Sequence, residues 1–212
     1  MESVANVMGL GLLRQPAEVL FGPGQRRQVP SLVASFGSRV LVCTDERMAT
    51  TAECDELVRG LEERGLSVSM FSQTQPDLPR ENIMTVFAEF SSANIDVVIG
   101  LGGGSCLDMA KTAALMLRHG GDVRDYYGEN QVLGDSLPIV TVPTTAGTGA
   151  EISNFAVVFD AERGMKVGVG SPHILPRIAV IDPELTLSCP PGLTAATAAE
   201  TTRSAGDGSP VV

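Results

Sequence analysis

The sequence has no tryptophan, two tyrosines and seven phenylalanines, so aromatic residues make up 4% of it. A chain so poor in rings has little with which to stack nucleic-acid bases or sugar faces. Basic residues are also scarce: 15 Lys and Arg stand against 25 Asp and Glu, a formal net charge of −10. Nucleic acids and anionic membrane surfaces both demand basic patches, and this balance argues against either as a partner. Histidine occurs only at His119 and His173, far apart in the chain. No H-E-x-x-H pair and no Cys/His cluster offers the spacing of a zinc or iron site. A Gly-x-Ser-x-Gly elbow for nucleophilic catalysis is missing too. The four cysteines, Cys43, Cys54, Cys106 and Cys189, form no C-x-x-C pair and read as free thiols of a reducing cytoplasm. No apolar run approaches the ~18 residues that cross a bilayer. The start at Met1-Glu2-Ser3-Val4 lacks the basic and apolar regions of a signal or transit peptide.

What is present suits a folded α/β chain. Hydrophobic residues make up 43% of the 212 positions, and 23 glycines and 13 prolines supply many short turns. Arg39–Cys43 is a short apolar run bounded by turn residues, the signature of a buried parallel strand, and Ser67–Phe71, Asp96–Ile99 and Leu137–Val142 read as further strands. Weaker strands are expected near Ala17–Phe21, Lys166–Val169 and Arg177–Ile181. Gln25–Phe36, Thr51–Arg64, Arg80–Ser92 and Cys106–His119 read as helices, and Glu151–Phe159 as an amphipathic segment. The alternation predicts a Rossmann-like parallel sheet with right-handed crossovers and flanking helices. Residues 1–193 are expected to form this domain. Residues 194–212 are small, polar and rich in Gly, Pro and Ser, and read as a divergent, disordered tail.

Three segments carry the chemistry. Gly100-Leu101-Gly102-Gly103-Gly104-Ser105 ends a strand and opens a helix. Glycines let a phosphate approach the backbone there, and a helix N-terminus offers free N–H groups and positive partial charge. The pattern is neither G-x-G-x-x-G nor a P-loop, so taken alone it also fits a plain strand-to-helix turn. Asp45 directly follows the strand Arg39–Cys43. A carboxylate so placed accepts from a ribose 2′-OH and repels a 2′-phosphate, although an N-cap role is the plain alternative. The loop Pro143-Thr144-Thr145-Ala146-Gly147-Thr148-Gly149-Ala150-Glu151 gathers three hydroxyls and two glycines after a strand, with Glu151 expected in the first turn of a following helix. Lys166 is a nearby cation that can reach a pyrophosphate or ribose.

Together these segments resemble the N-terminal half of the iron-containing (group III) alcohol dehydrogenase family, over residues 15 to 197. The matching pieces include Phe21–Gly24, Thr44-Asp45, Asp96–Ser105 with Asp108–Lys111, Pro143–Glu151, Lys166, Ile181–Leu185 and Pro190–Thr197. The resemblance implies an NAD-binding α/β domain followed by an all-helical domain that holds Fe(II) or Zn. It places Asp45 on the adenosine ribose, and Gly103, Gly104 and Ser105 on the pyrophosphate. Thr144, Thr145 and Thr148 would line the phosphate and ribose path with Ser153 nearby, and Lys166 would reach the nicotinamide-side ribose. Gln75 stands where the family often has the Asn of an Asn-Pro pair. The departure comes after Thr197: Glu200 falls where the family has a metal-ligating Asp, and Ser204 where it has a His. The expectation is therefore a cofactor-binding half without the helical domain or its metal ligands, inactive alone, its uncovered apolar surface favouring homo-oligomers. A non-catalytic dinucleotide-binding fragment, or a subunit that pairs with an intact relative, is the alternative. A phosphate-sugar module unrelated to redox is a third.

Overall fold

The computed structural model describes residues 14–192 and 194–199. Its centre is a six-stranded sheet of β1 (Glu18–Phe21), β2 (Arg39–Cys43), β3 (Ser67–Phe71), β4 (Val97–Gly102), β6 (Ile139–Pro143) and β9 (Ile178–Ile181). Every pairing in it is parallel, in the order β1-β9-β6-β4-β2-β3. A second sheet of three strands combines β5 (Gly128–Glu129), β7 (Phe155–Asp160) and β8 (Met165–Gly170), with β7 and β8 antiparallel.

The strands alternate sides, and each side is covered. Val40 and Val42 of β2 join Val97, Ile99 and Leu101 of β4 in one core, against Val29 and Val33 of α1 (Val29–Val33) and Leu57 and Leu61 of α3 (Ala52–Glu63). Leu41, Cys43 and Val98 face the other way, into a core shared with α4 (Arg80–Phe90) and α5 (Gly104–His119). A strand buried on both faces has no polar side to show, which is why these runs read as continuously apolar. A one-turn helix, α2 (Glu46–Ala49), follows β2.

Local differences from the expected elements have identifiable causes. Gln25–Phe36 is a 3₁₀ turn (Gln25–Gln28) followed by α1, because Pro30 occupies the start of the second helix. Glu151 opens no helix; residues 151–154 form turns and bends, and β7 follows as one arm of a hairpin. Residues 194–199, expected to begin a structureless tail, are helical. Glu200 and Ser204 lie outside the described residues.

The connection order places one crevice. From β2 the chain crosses outward to β3, then returns to lay β4 on the other side of β2. In open α/β sheets, ligands bind beyond the carboxyl ends of the strands at such a reversal. Asp45 follows β2 and Gly103 follows β4, so the two flank it.

Candidate functional site

A cleft of about 760 Å³ opens at this reversal, within the range of roughly 300–1,000 Å³ usual for small-ligand sites. Asp45, Gln75, Gly103, Gly104, Ser105, Thr145, Thr148, Ser153 and Lys166 all line it. Thr144 is the exception. Its side chain is buried below the loop, its N–H donates to the Gly102 carbonyl at 2.9 Å, and its hydroxyl has no hydrogen-bond partner among the described residues.

The glycine run forms the floor. Gly102 has φ +145°, a conformation that side chains rarely adopt, and a Cβ there would lie 2.6 Å from the Cys106 sulfur. Gly104 opens α5; a Cβ on it would meet Thr148 Cγ2 at 2.9 Å, so the threonine loop approaches the helix start closely. No side chain caps α5, and the N–H groups of Gly104 and Ser105 make no hydrogen bond among the described residues. The positive end of a 16-residue helix thus faces the cleft with donors to spare.

Asp45 takes the N-cap role read from the sequence and also lines the cleft. Its Oδ1 accepts the Met48 N–H at 2.7 Å, capping α2, and its Oδ2 accepts from the Cys106 thiol at 3.6 Å. The cap fixes the carboxylate on the cleft wall. Burial is the main reason the Cys106 thiol is pushed up, with the nearby Asp45 charge adding to it, so the sulfur stays protonated and donating. Across the cleft, Lys166 Nζ pairs with Asp77 Oδ1 at 2.8 Å. Asp77 and Leu78 both take positive φ, 61° and 48°, and the Leu78 carbonyl accepts from Phe159 N–H at 3.0 Å, which ties this strained loop to β7.

Sequence reasoning gave no role to Lys111, which is fully buried in α5. Its Nζ donates to Asp108 Oδ1 (3.2 Å), Ser153 Oγ (3.1 Å) and the Phe155 carbonyl (2.6 Å), and Asp108 Oδ2 accepts the Val157 N–H at 3.0 Å. The pair therefore clamps β7 and Ser153 onto α5. Burial drives the Lys111 ammonium below its usual range and the Asp108 carboxyl above its own, and their mutual attraction opposes both shifts. The i, i+3 spacing of an acid and a base within an apolar helix was the available signal. Arg47 also lines the cleft and went unread.

Thr197 reaches the cleft from the helical stretch 194–199, and its backbone sits against the loop so tightly that a Cβ on Gly147 would lie 2.6 Å from the Thr197 carbonyl oxygen. Among the described residues, no group of three or more His, Cys, Asp or Glu side chains is placed to hold a metal ion. No helix there is long and apolar enough to cross a membrane.

Comparison with known proteins shows the family. The model of the family described as iron-containing alcohol dehydrogenase matches residues 16–183. An NAD-dependent methanol dehydrogenase of Bacillus methanolicus is 36% identical over 183 residues, covering 86% of this chain and 48% of its own. Among solved structures, a 1,3-propanediol oxidoreductase superposes with a TM-score of 0.86 at 29% identity, over 91% of this chain and 50% of that one. Sulfoacetaldehyde reductase from Bifidobacterium kashiwanohense, solved in complex with NAD+, gives a TM-score of 0.78 at 28% identity, over 90% and 51%. The chain thus spans about half the length of these relatives.

Proposed function

The chain belongs to the iron-containing alcohol dehydrogenase family, matching its N-terminal half, and from that premise we propose that it is the NAD(H)-binding half of a dehydrogenase interconverting a small alcohol and its carbonyl product. The observation that carries this reading is the cleft at the chain reversal, where a strand-end carboxylate and an uncapped, glycine-floored helix start face one space. In this reading Asp45 accepts a hydrogen bond from the adenosine ribose. The free N–H groups of Gly104 and Ser105 bind the pyrophosphate, helped by the dipole of α5. Gly103 leaves room for that approach. Thr145, Thr148 and Ser153 line the path onward with Gln75 opposite, and Thr144 supports the loop from behind. Lys166, held by Asp77, addresses the second ribose. The nicotinamide ring, when bound, accepts or returns a hydride.

The described residues do not fit a metal centre, so no step of the reaction is placed on Fe(II) or Zn. A second reading has the chain bind the dinucleotide without turnover of its own, or pair with an intact relative. The free thiols suit a reducing compartment, and we place the protein in the cytoplasm.

Fluorescence titration tests the cofactor reading: NADH should bind, and Asp45→Gly should shift the NADH-to-NADPH affinity ratio toward NADPH. No binding of either dinucleotide contradicts the proposal, and an unchanged ratio removes Asp45 from the site. An alcohol-oxidation assay with added iron(II) or zinc separates the two readings, since robust turnover contradicts the second.

A further inference from the structure

Asp45 and Arg47 both line the cleft, two positions apart around the one-turn helix α2. They are in opposite circumstances. Both carboxylate oxygens of Asp45 are engaged, one by the Met48 N–H and one by the Cys106 thiol. The guanidinium of Arg47 is exposed and makes no ion pair or hydrogen bond with any described residue. The other cations at the cleft are committed: Lys166 to Asp77, and Lys111, behind the wall, to Asp108, Ser153 and the Phe155 carbonyl.

A guanidinium presents five N–H donors in a planar fork that matches phosphate oxygens in pairs. Its place beside Asp45 gives it a definite task. A carboxylate at this strand end accepts from a free ribose 2′-OH and repels a 2′-phosphate, whereas an arginine close by accommodates that phosphate. Here one short helix presents both groups to one cleft.

We infer that Arg47 is a specificity-determining residue that takes the 2′-phosphate of NADP(H), so that the site accepts NADPH as well as NADH. The inference rests on the dinucleotide reading of the cleft. Asp45 keeps NADH the better ligand; Arg47 keeps the penalty on NADPH small by pairing with the added charge.

The test is a titration of the 212-residue chain with NADH and with NADPH, read by nicotinamide fluorescence at low salt. Both should bind. Arg47→Gln should widen the NADH-to-NADPH affinity ratio by about tenfold, the worth of one charge-assisted contact, and the change should come from NADPH. Arg47→Lys, which keeps the charge and loses the fork, should recover part of it. Added salt should weaken NADPH binding more than NADH binding. Far-ultraviolet circular dichroism confirms that the variants fold. A ratio that stays within about twofold after Arg47→Gln overturns the inference, as does NADH binding with no measurable NADPH binding; both leave the dinucleotide reading standing. Failure of the unsubstituted chain to bind either dinucleotide overturns both.

Discussion

The six-stranded sheet carries a concave surface at each end of its central strands. At the amino ends, a groove of about 540 Å³ is lined by Arg39, Asp96, Arg118 and Asp135 among others. The cleft at the carboxyl ends measures about 760 Å³. Size alone does not separate them; the state of their polar groups does. In the groove, Asp96 accepts the N–H groups of Ser38 (3.0 Å) and Arg39 (2.9 Å) and pairs with the Arg39 guanidinium at 2.6 Å. Asp135 pairs with His173 Nδ1 at 2.8 Å. Of the groove's charged side chains, Arg118 alone has no partner among the described residues. In the cleft, the helix-start N–H groups and the Arg47 fork are all left over. The amino end engages most of its charged groups with one another, whereas the carboxyl end leaves a helix start and a guanidinium unengaged among the described residues.

The sharpest way to break this contrast is to cut one ion pair at each end. Lys111→Met leaves Asp108 as an unpaired buried carboxylate and should cost about 3 kcal/mol or more in urea unfolding. Arg39→Met cuts a pair that is open to solvent and should produce a much smaller loss. Equal losses would show that the buried clamp contributes no more than the exposed pair.

Next in size is binding. Gly104→Val places a branched side chain against Thr148 and should weaken NADH binding by about tenfold or more, the equivalent of roughly 1.4 kcal/mol. Asp135→Ala, at the other end, should leave NADH affinity as it was. Titrations that moved in the reverse sense would exchange the roles of the two ends.

The smallest effect is a pH dependence belonging to the amino end. Hydrogen bonding from the Arg39 side chain is the main reason the Asp96 carboxyl is held down to about 2, with burial opposing and the Arg39 and Ser38 N–H groups assisting. A carboxyl depressed in the folded state stabilises the protein fully above its ordinary value of about 4 and loses that contribution as pH falls toward 2. Asp96→Asn should therefore flatten the acid limb of a stability-versus-pH curve between about pH 4 and pH 2. An unaltered limb would remove Asp96 as a contributor.

The cleft was legible where local chemistry and topology coincide. The apolar runs of β2 and β4 announce buried parallel strands, and Asp45 and Gly102–Ser105 follow them directly. The hairpin was less legible. Phe155–Asp160 is a short apolar run, and such runs fit helix and strand alike until a partner decides. That partner is β8, whose Gly168 leaves room for the Phe155 ring: a Cβ there would lie 2.0 Å from it. Lys111 was easily passed over as a site residue, because a lysine in a helix is ordinarily a solvated charge and its i, i+3 acid partner is a weak signal. Its burial depends on Ser153 and Phe155, 42 and 44 residues away in sequence. Arg47 carries no local signal at all; its meaning comes from the cleft that β3 and α5 build around it.

In the reading proposed above, the carboxyl end of the sheet, and not the amino end, receives a nicotinamide dinucleotide. The most direct test is an amide chemical-shift map of the isotopically labelled chain on addition of NADH. The largest changes should fall at Gly103, Gly104, Ser105, Thr145 and Thr148, with Asn94, Ile95, Asp96 and Leu117 unmoved. Changes centred on the second set, or no changes at saturating NADH, would contradict it.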